Sequence, residues 1–150
     1  MKSTLSVLVL SAITATTLEA QSAKTLAQRV VEEIKAAHPE ITGIELSATK
    51  PGKGCQNIAA TEVNEIGEKC DKEDVMVMKT GRPFVEQEKK GFEVTLPIHD
   101  SAGKVIAAAG LDYRREAGRT KDAVASEAAK VATEIEQRLT SGDALFQPVH

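Results

Sequence analysis

Aromatic residues are scarce: the chain has no tryptophan, one tyrosine (Tyr113) and three phenylalanines (Phe84, Phe92 and Phe146). A formal charge of -3 is spread over mixed signs, with no basic stripe. Proteins that track single strands stack bases on aromatic rings along a positive groove, and neither element is present. Nucleic acid is therefore excluded as a partner. Cysteine occurs only at positions 55 and 70. That leaves no Cys-x-x-Cys redox motif, no Cys-x-x-Cys-His for covalent haem, and no third or fourth ligand at metal spacing. No cofactor is expected. No activated serine or cysteine accompanies the three histidines in a recognisable catalytic arrangement, so the chain does not read as an enzyme. Internal repeats and low-complexity tracts are also missing.

What is there fits one domain. A length of 150 residues, 41% hydrophobic and 27% charged, supplies material for a single core and argues against disorder. The first twenty residues stand apart: Lys2 gives a positive start, residues 5–17 are uncharged and apolar or small, and Leu18-Glu19-Ala20 offers a cleavage site. A secretory signal over 1–20 is expected, cut after Ala20. An uncleaved anchor is disfavoured because a run of about 13 residues falls short of the roughly 20 that span hydrocarbon. No later stretch is long and apolar enough for insertion, so the mature chain is expected in the periplasm or outside the cell. In an oxidising compartment Cys55 and Cys70 read as a disulfide, whose loop of about 15 residues would stabilise the fold by about 3 kcal/mol. The alternative is two separate buried thiols.

Leu26, Val30, Ile34 and Ala37 recur at helical spacing, Thr25 and Gln28 offer a capping box, and Pro39 ends the helix at His38. Ile44, Leu46 and Ala48 then alternate with Glu45, Ser47 and Thr49, the period of a half-buried strand. After the turn at Pro51, Gly52 and Gly54 comes a second strand over 56–61. Asp71 reads as the N-cap of a short helix through Lys79, with Asp74 in its first turn, and Val75 and Met78 facing one way. Met76 and Met78 read as core. Gly81 and Pro83 stop the helix, and strands over 84–88, 92–98 and 105–113 follow as an antiparallel meander. The glycines of the two hairpin turns, Gly91 and Gly103, are placed where positive φ is expected. The last strand, apolar on both faces, belongs at the centre of the sheet. A long amphipathic helix over 120–140 carries the stripe Val124, Ala128, Val131, Ile135 and Leu139. Packing on its own sheet and pairing with a second copy are both open for that stripe. Gly142 caps the domain (21–142), and residues 143–150 are expected to form a flexible tail.

Several runs carry a resemblance. Ile58-Ala59-Ala60-Thr61, Glu65-Ile66-Gly67-Glu68, Glu73-Asp74-Val75 and the segment Lys79-Thr80-Gly81-Arg82-Pro83-Phe84-Val85, followed by the block from Gly91 to Tyr113, resemble the Cache family of PAS-like extracytoplasmic sensor domains. The resemblance covers about half of the chain, residues 41–113. It implies an α+β fold: a PAS-like five-stranded antiparallel sheet with a short crossover helix and N- and C-terminal helices. It also implies a cleft between sheet and crossover that holds a small polar ligand, with a carboxylate as one candidate. Arg82, Glu86, Thr95 and Asp112 are expected to line that cleft, the alternative being solvated sheet surface. His99, beside Asp100, is either a ligand contact or an exposed turn residue, and His38 a helix-end residue. Lys89 and Lys90 read as turn solvation. An exported small-molecule-binding sensory domain is the function expected. A protein-interaction module whose cleft is filled by its own side chains is the alternative. Without a transmitter of its own, the chain would pass its signal through a membrane-receptor partner, and a homodimer through the C-terminal helix is the assembly that the second reading of that stripe would give.

Overall fold

A computed structural model describes residues 24–149. The expected signal over 1–20 and His150 lie outside the described residues. The first helix, α1 (Leu26–Ala37), buries Ala27, Val30, Val31 and Ile34 on one stripe. Its N-cap is Thr25, whose Oγ1 accepts the Gln28 backbone N–H. The reciprocal half of a capping box is absent. Gln28 turns its amide to the second strand instead, donating to Ala60 O at 3.0 Å and accepting the Ala60 N–H at 3.0 Å. Two backbone groups at a strand end are thereby satisfied inside the protein.

Strands β1 (Ile41–Lys50) and β2 (Gly54–Ala60) form a hairpin. A short 3-10 turn (Val63–Glu65) leads to α2 (Lys72–Thr80), which Gly81 closes in the left-handed region at φ 66°. Then come β3 (Phe84–Gln87), β4 (Gly91–His99) and β5 (Val105–Arg114), followed by α3 (Lys121–Arg138) and a closing 3-10 turn (Asp143–Phe146). Every strand pairing is antiparallel, in the order β2-β1-β5-β4-β3. The expected PAS-like α+β architecture is the observed one, with β5 at its centre.

One face of the sheet carries the core. Leu46, Val94, Ile98, Ala109 and Leu111 from the strands meet Val30 and Ile34 of α1 and the α3 stripe, all essentially buried. Each α3 stripe residue (Val124, Ala128, Val131, Ile135, Leu139) is used inside the protein. The apolar surface a helix-mediated dimer would need is therefore already covered.

The disulfide forms between Cys55 and Cys70, with Cα atoms 5.4 Å apart. It fastens the approach to α2 onto β2, beside the Gln56–Lys69 bridge and the Asn57 N–H bond to Glu68 O. Two expectations change. The inward side of α2 is Asp74 and Val77, while Val75 is 46% exposed and Met76, expected in the core, is 41% exposed, because Asp74 bonds Ser47 of β1 and rotates the helix accordingly. The C-terminal segment is also packed, not loose. Ala144 and Leu145 are buried, Leu26 N–H donates to Gln147 O at 2.7 Å, and Val149 N–H donates to Lys24 O at 2.8 Å. Leu145 supplies the apolar side chain that holds it against α1 and the sheet.

Candidate functional site

The second face of the sheet lies under the crossover, with α2 packed across β4 and β5. Strand alternation sends Gly43, Glu45 and Ser47 of β1, Glu93, Thr95 and Pro97 of β4, and Ala108, Gly110 and Asp112 of β5 to this face. Cross-strand register then builds two rows. In one, Glu45 stands opposite Gly110, Gly110 opposite Thr95, and Thr95 opposite Phe84. In the other, Gly43 stands opposite Asp112, Asp112 opposite Glu93, and Glu93 opposite Glu86.

The two glycines make these rows possible. A Cβ on Gly110 would stand 2.9 Å from Glu45 Cγ, and one on Gly43 would stand 2.6 Å from Asp112 Oδ2. Carboxylate side chains lie down over the bare backbone, one from each flank. Above them the Thr61–Glu65 segment closes a pocket of about 190 Å³, with Glu45, Glu62, Glu65, Glu93 and Asp112 in its walls. None of its lining residues is basic.

Acids placed directly opposite one another across strands repel. Burial pushes Glu45 up to about 7, helped by the neighbouring charges of Asp74 and Glu65. Glu93 is likewise pushed up to about 7 by burial and then by Asp112 and Glu88. Asp112, open at the rim, is raised by desolvation against the cleft wall and by Glu88 and Glu65. Near neutral pH Glu45 and Glu93 are therefore only partly ionised.

A buried polar chain leads away from the pocket. Asn57 Nδ2 donates to Glu45 Oε2 at 3.0 Å. Ser47 Oγ lies 2.6 Å from Asn57 Oδ1 and 2.8 Å from Asp74 Oδ2. Asp74 Oδ2 in turn accepts the Asp71 N–H that opens α2. Burial raises the Asp74 carboxyl above its ordinary value, against the opposing effect of the Ser47 bond. The cleft is thus wired to the first turn of the crossover helix.

The five residues singled out from the sequence divide. Asp112, Thr95 and Glu86 share the cleft face, Asp112 in the pocket wall, Thr95 buried in the sheet and Glu86 exposed at its edge. Arg82 is exposed at the helix exit, away from the pocket. His99 is turned to the other face by a register shift after Ile98, and its Nδ1 meets Glu136 of α3 at 2.7 Å. Glu45, Glu62, Glu65 and Glu93 were not singled out. Glu45 and Glu93 occupy the polar phase of their strands, in step with Ser47 and Thr95, and that phase is the signal that points to them.

Among the described residues no cluster of histidine, cysteine and acidic side chains has metal-binding geometry, and no helix is long and apolar enough to cross a membrane. No family model matches the chain, and no curated protein does. Solved structures do resemble it. The type II free methionine-R-sulfoxide reductase from Thermoplasma acidophilum aligns over 84% of this chain and 100% of its own, at 11% identity and a TM-score of 0.53. The GAF domain from Acinetobacter phosphoenolpyruvate-protein phosphotransferase aligns over 79% of this chain and 84% of its own, at 9% identity and 0.53. The A. aeolicus nlh2 GAF domain aligns over 79% and 94%, at 12% identity and 0.53. A reductase and two GAF domains share this architecture at 9–12% identity, so the likeness speaks to fold and not to activity. The fold is of the GAF/PAS-like kind: a five-stranded antiparallel sheet bridged on one face by a crossover segment.

Proposed function

We propose that the chain is a sensory domain of the extracytoplasmic Cache type, and that it binds a small positively charged molecule in the cleft between the sheet and the crossover. The observation that carries this is the acidic cross-strand row of Asp112, Glu93 and Glu86, flanked by Glu45 over Gly110. Facing acids weaken a sheet. They become favourable once a cation sits among them. The pocket is smaller than the roughly 300–1,000 Å³ typical of drug-sized ligands, which fits a small amine. A carboxylate ligand, the candidate class expected from the resemblance, would meet five acids and no base in the pocket wall. Like-charge repulsion removes it as the preferred ligand.

The disulfide supports export, since such bonds persist in oxidising compartments. Signalling would follow from the Glu45–Asn57–Ser47–Asp74 chain: a cation that ionises Glu45 alters the bonds that seat α2, and α2 is the element a receptor partner would read. A thermal-shift comparison of small primary amines and small carboxylates at neutral pH tests the ligand class. Stabilisation by an amine, lost in Glu93→Gln and in Glu45→Gln, is the expected result. Stabilisation by carboxylates alone would overturn it.

A further inference from the structure

His38 sits on the core side of the molecule, remote from the acidic cleft, at the C-cap of α1. Both of its ring nitrogens are engaged: Nδ1 lies 2.9 Å from Glu40 Oε1 at the start of β1, and Nε2 lies 3.1 Å from Glu134 Oε2 on α3. An ionised carboxylate only accepts hydrogen bonds, so each nitrogen must carry a proton, and the imidazolium is the form that fits. A neutral ring would turn a lone pair toward one carboxylate oxygen at about 3 Å, a repulsive contact. His99 differs. Its Nδ1 alone meets Glu136 Oε1, at 2.7 Å, an arrangement that a neutral ring with its proton on that nitrogen satisfies.

We propose that His38 is a proton-dependent latch that ties the end of α1 and the start of β1 to α3, and frees α3 when it loses its proton. The latch stands at one side of an open groove of about 600 Å³. The charged groups facing it there are Glu116 and Arg119 from the β5–α3 connection, Glu127 and Lys130 from α3, and its own partners Glu40 and Glu134. Arg119 is paired with Glu116 and Glu127 and lies over the Tyr113 ring, 5.0 Å from its centre, and its charge also acts on Glu40 without a direct ion pair. Four acids against two bases favour the charged ring. Partial burial on its own opposes the charge, but Glu134 and then Glu40 outweigh it and hold His38 above the ordinary imidazole value. The other ionic tie between the helices, Glu33 with Arg138 at 3.8 Å, is open to solvent and weak. With the latch released, α3 is held by its apolar stripe and by Glu136.

Glu45 and Glu93 also titrate near neutrality, so the test must be local and not a melting curve alone. The His38 ring is followed by NMR from about pH 5 to about pH 9, spanning the ordinary imidazole value. Amide protection factors along α3 are measured over the same range. A midpoint above about 6.5, lowered in Glu134→Gln, is expected. Protection around Glu134 should fall about threefold or more as the ring deprotonates, and should stay flat with pH in His38→Gln. A midpoint at or below the ordinary value would overturn the latch, as would protection in the original chain that does not follow the His38 titration.

Discussion

Glu93 shows how a single residue reports on the cleft. Its carboxyl stands between Asp112 and Glu86 in the acidic row and is raised to about 7, mainly by burial. In the unfolded chain it would ionise near 4.3. Between those two values the unfolded state is the more readily ionised, so folding loses stability as pH rises through the window and regains it as pH falls. Replacing Glu93 by Gln removes the charge. The substitution is expected to raise stability at pH 8 by about 1 kcal/mol, discounted for a half-open site, and to change little at pH 4. Urea melts at the two pH values check it. Equal effects at both would mean that packing, not charge, is responsible. That a change can strengthen the fold while removing ligand binding is what separates a functional acid from a structural one.

At the scale of elements, Ser47 joins β1, β2 and α2 through a single hydroxyl. Ser47→Ala leaves Asn57 and Asp74 buried without that partner, and should cost about 1–3 kcal/mol in a denaturant titration while loosening the first turn of α2. A loss below a few tenths of a kcal/mol would show that the network is not holding the crossover. The elements themselves were largely legible. Alternation in 44–49 and 92–98 and the 3.6-residue stripe of 124–139 are local signals, and each appears as a strand or helix where the pattern places it. What sequence could not reveal came from register and from hydrogen bonds between distant residues. Gly91 illustrates it. It reads as a turn glycine of positive φ, yet it opens β4 outside that region, and a Cβ there would stand 1.8 Å from the Tyr113 carbonyl oxygen. Gly103 does take the positive φ expected, at 79°. The acidic row is similar: Glu86, Glu93 and Asp112 lie on three separate strands, and only pairing brings them together. Arg82 sits beside a strand on paper, but it is exposed and does not line the pocket.

Across the described residues, the segment before α1 and the segment after the closing 3-10 turn are held together. The start of α1 and residues 147–149 exchange backbone bonds, and Thr25 bridges Pro148. Beneath that pairing Leu145, 1% exposed, joins the core while Phe146 packs against it. The hydrophilic residues around Leu145 made this segment read as a tail, because one apolar pair too short for a helical or strand period leaves no local signal. Burial of one leucine is nevertheless substantial. Leu145→Ala is expected to cost about 2–5 kcal/mol, the range for a fully buried leucine, measured as a lower urea midpoint with an unchanged slope. Deleting residues 143–150 should cost at least as much and should expose the amides of Leu26 and its neighbours to exchange. If the deletion leaves the midpoint where it was, the ends do not contribute to the cooperative unit. The helix layer carrying α1, α3 and the His38 latch would then depend on the sheet alone for its position.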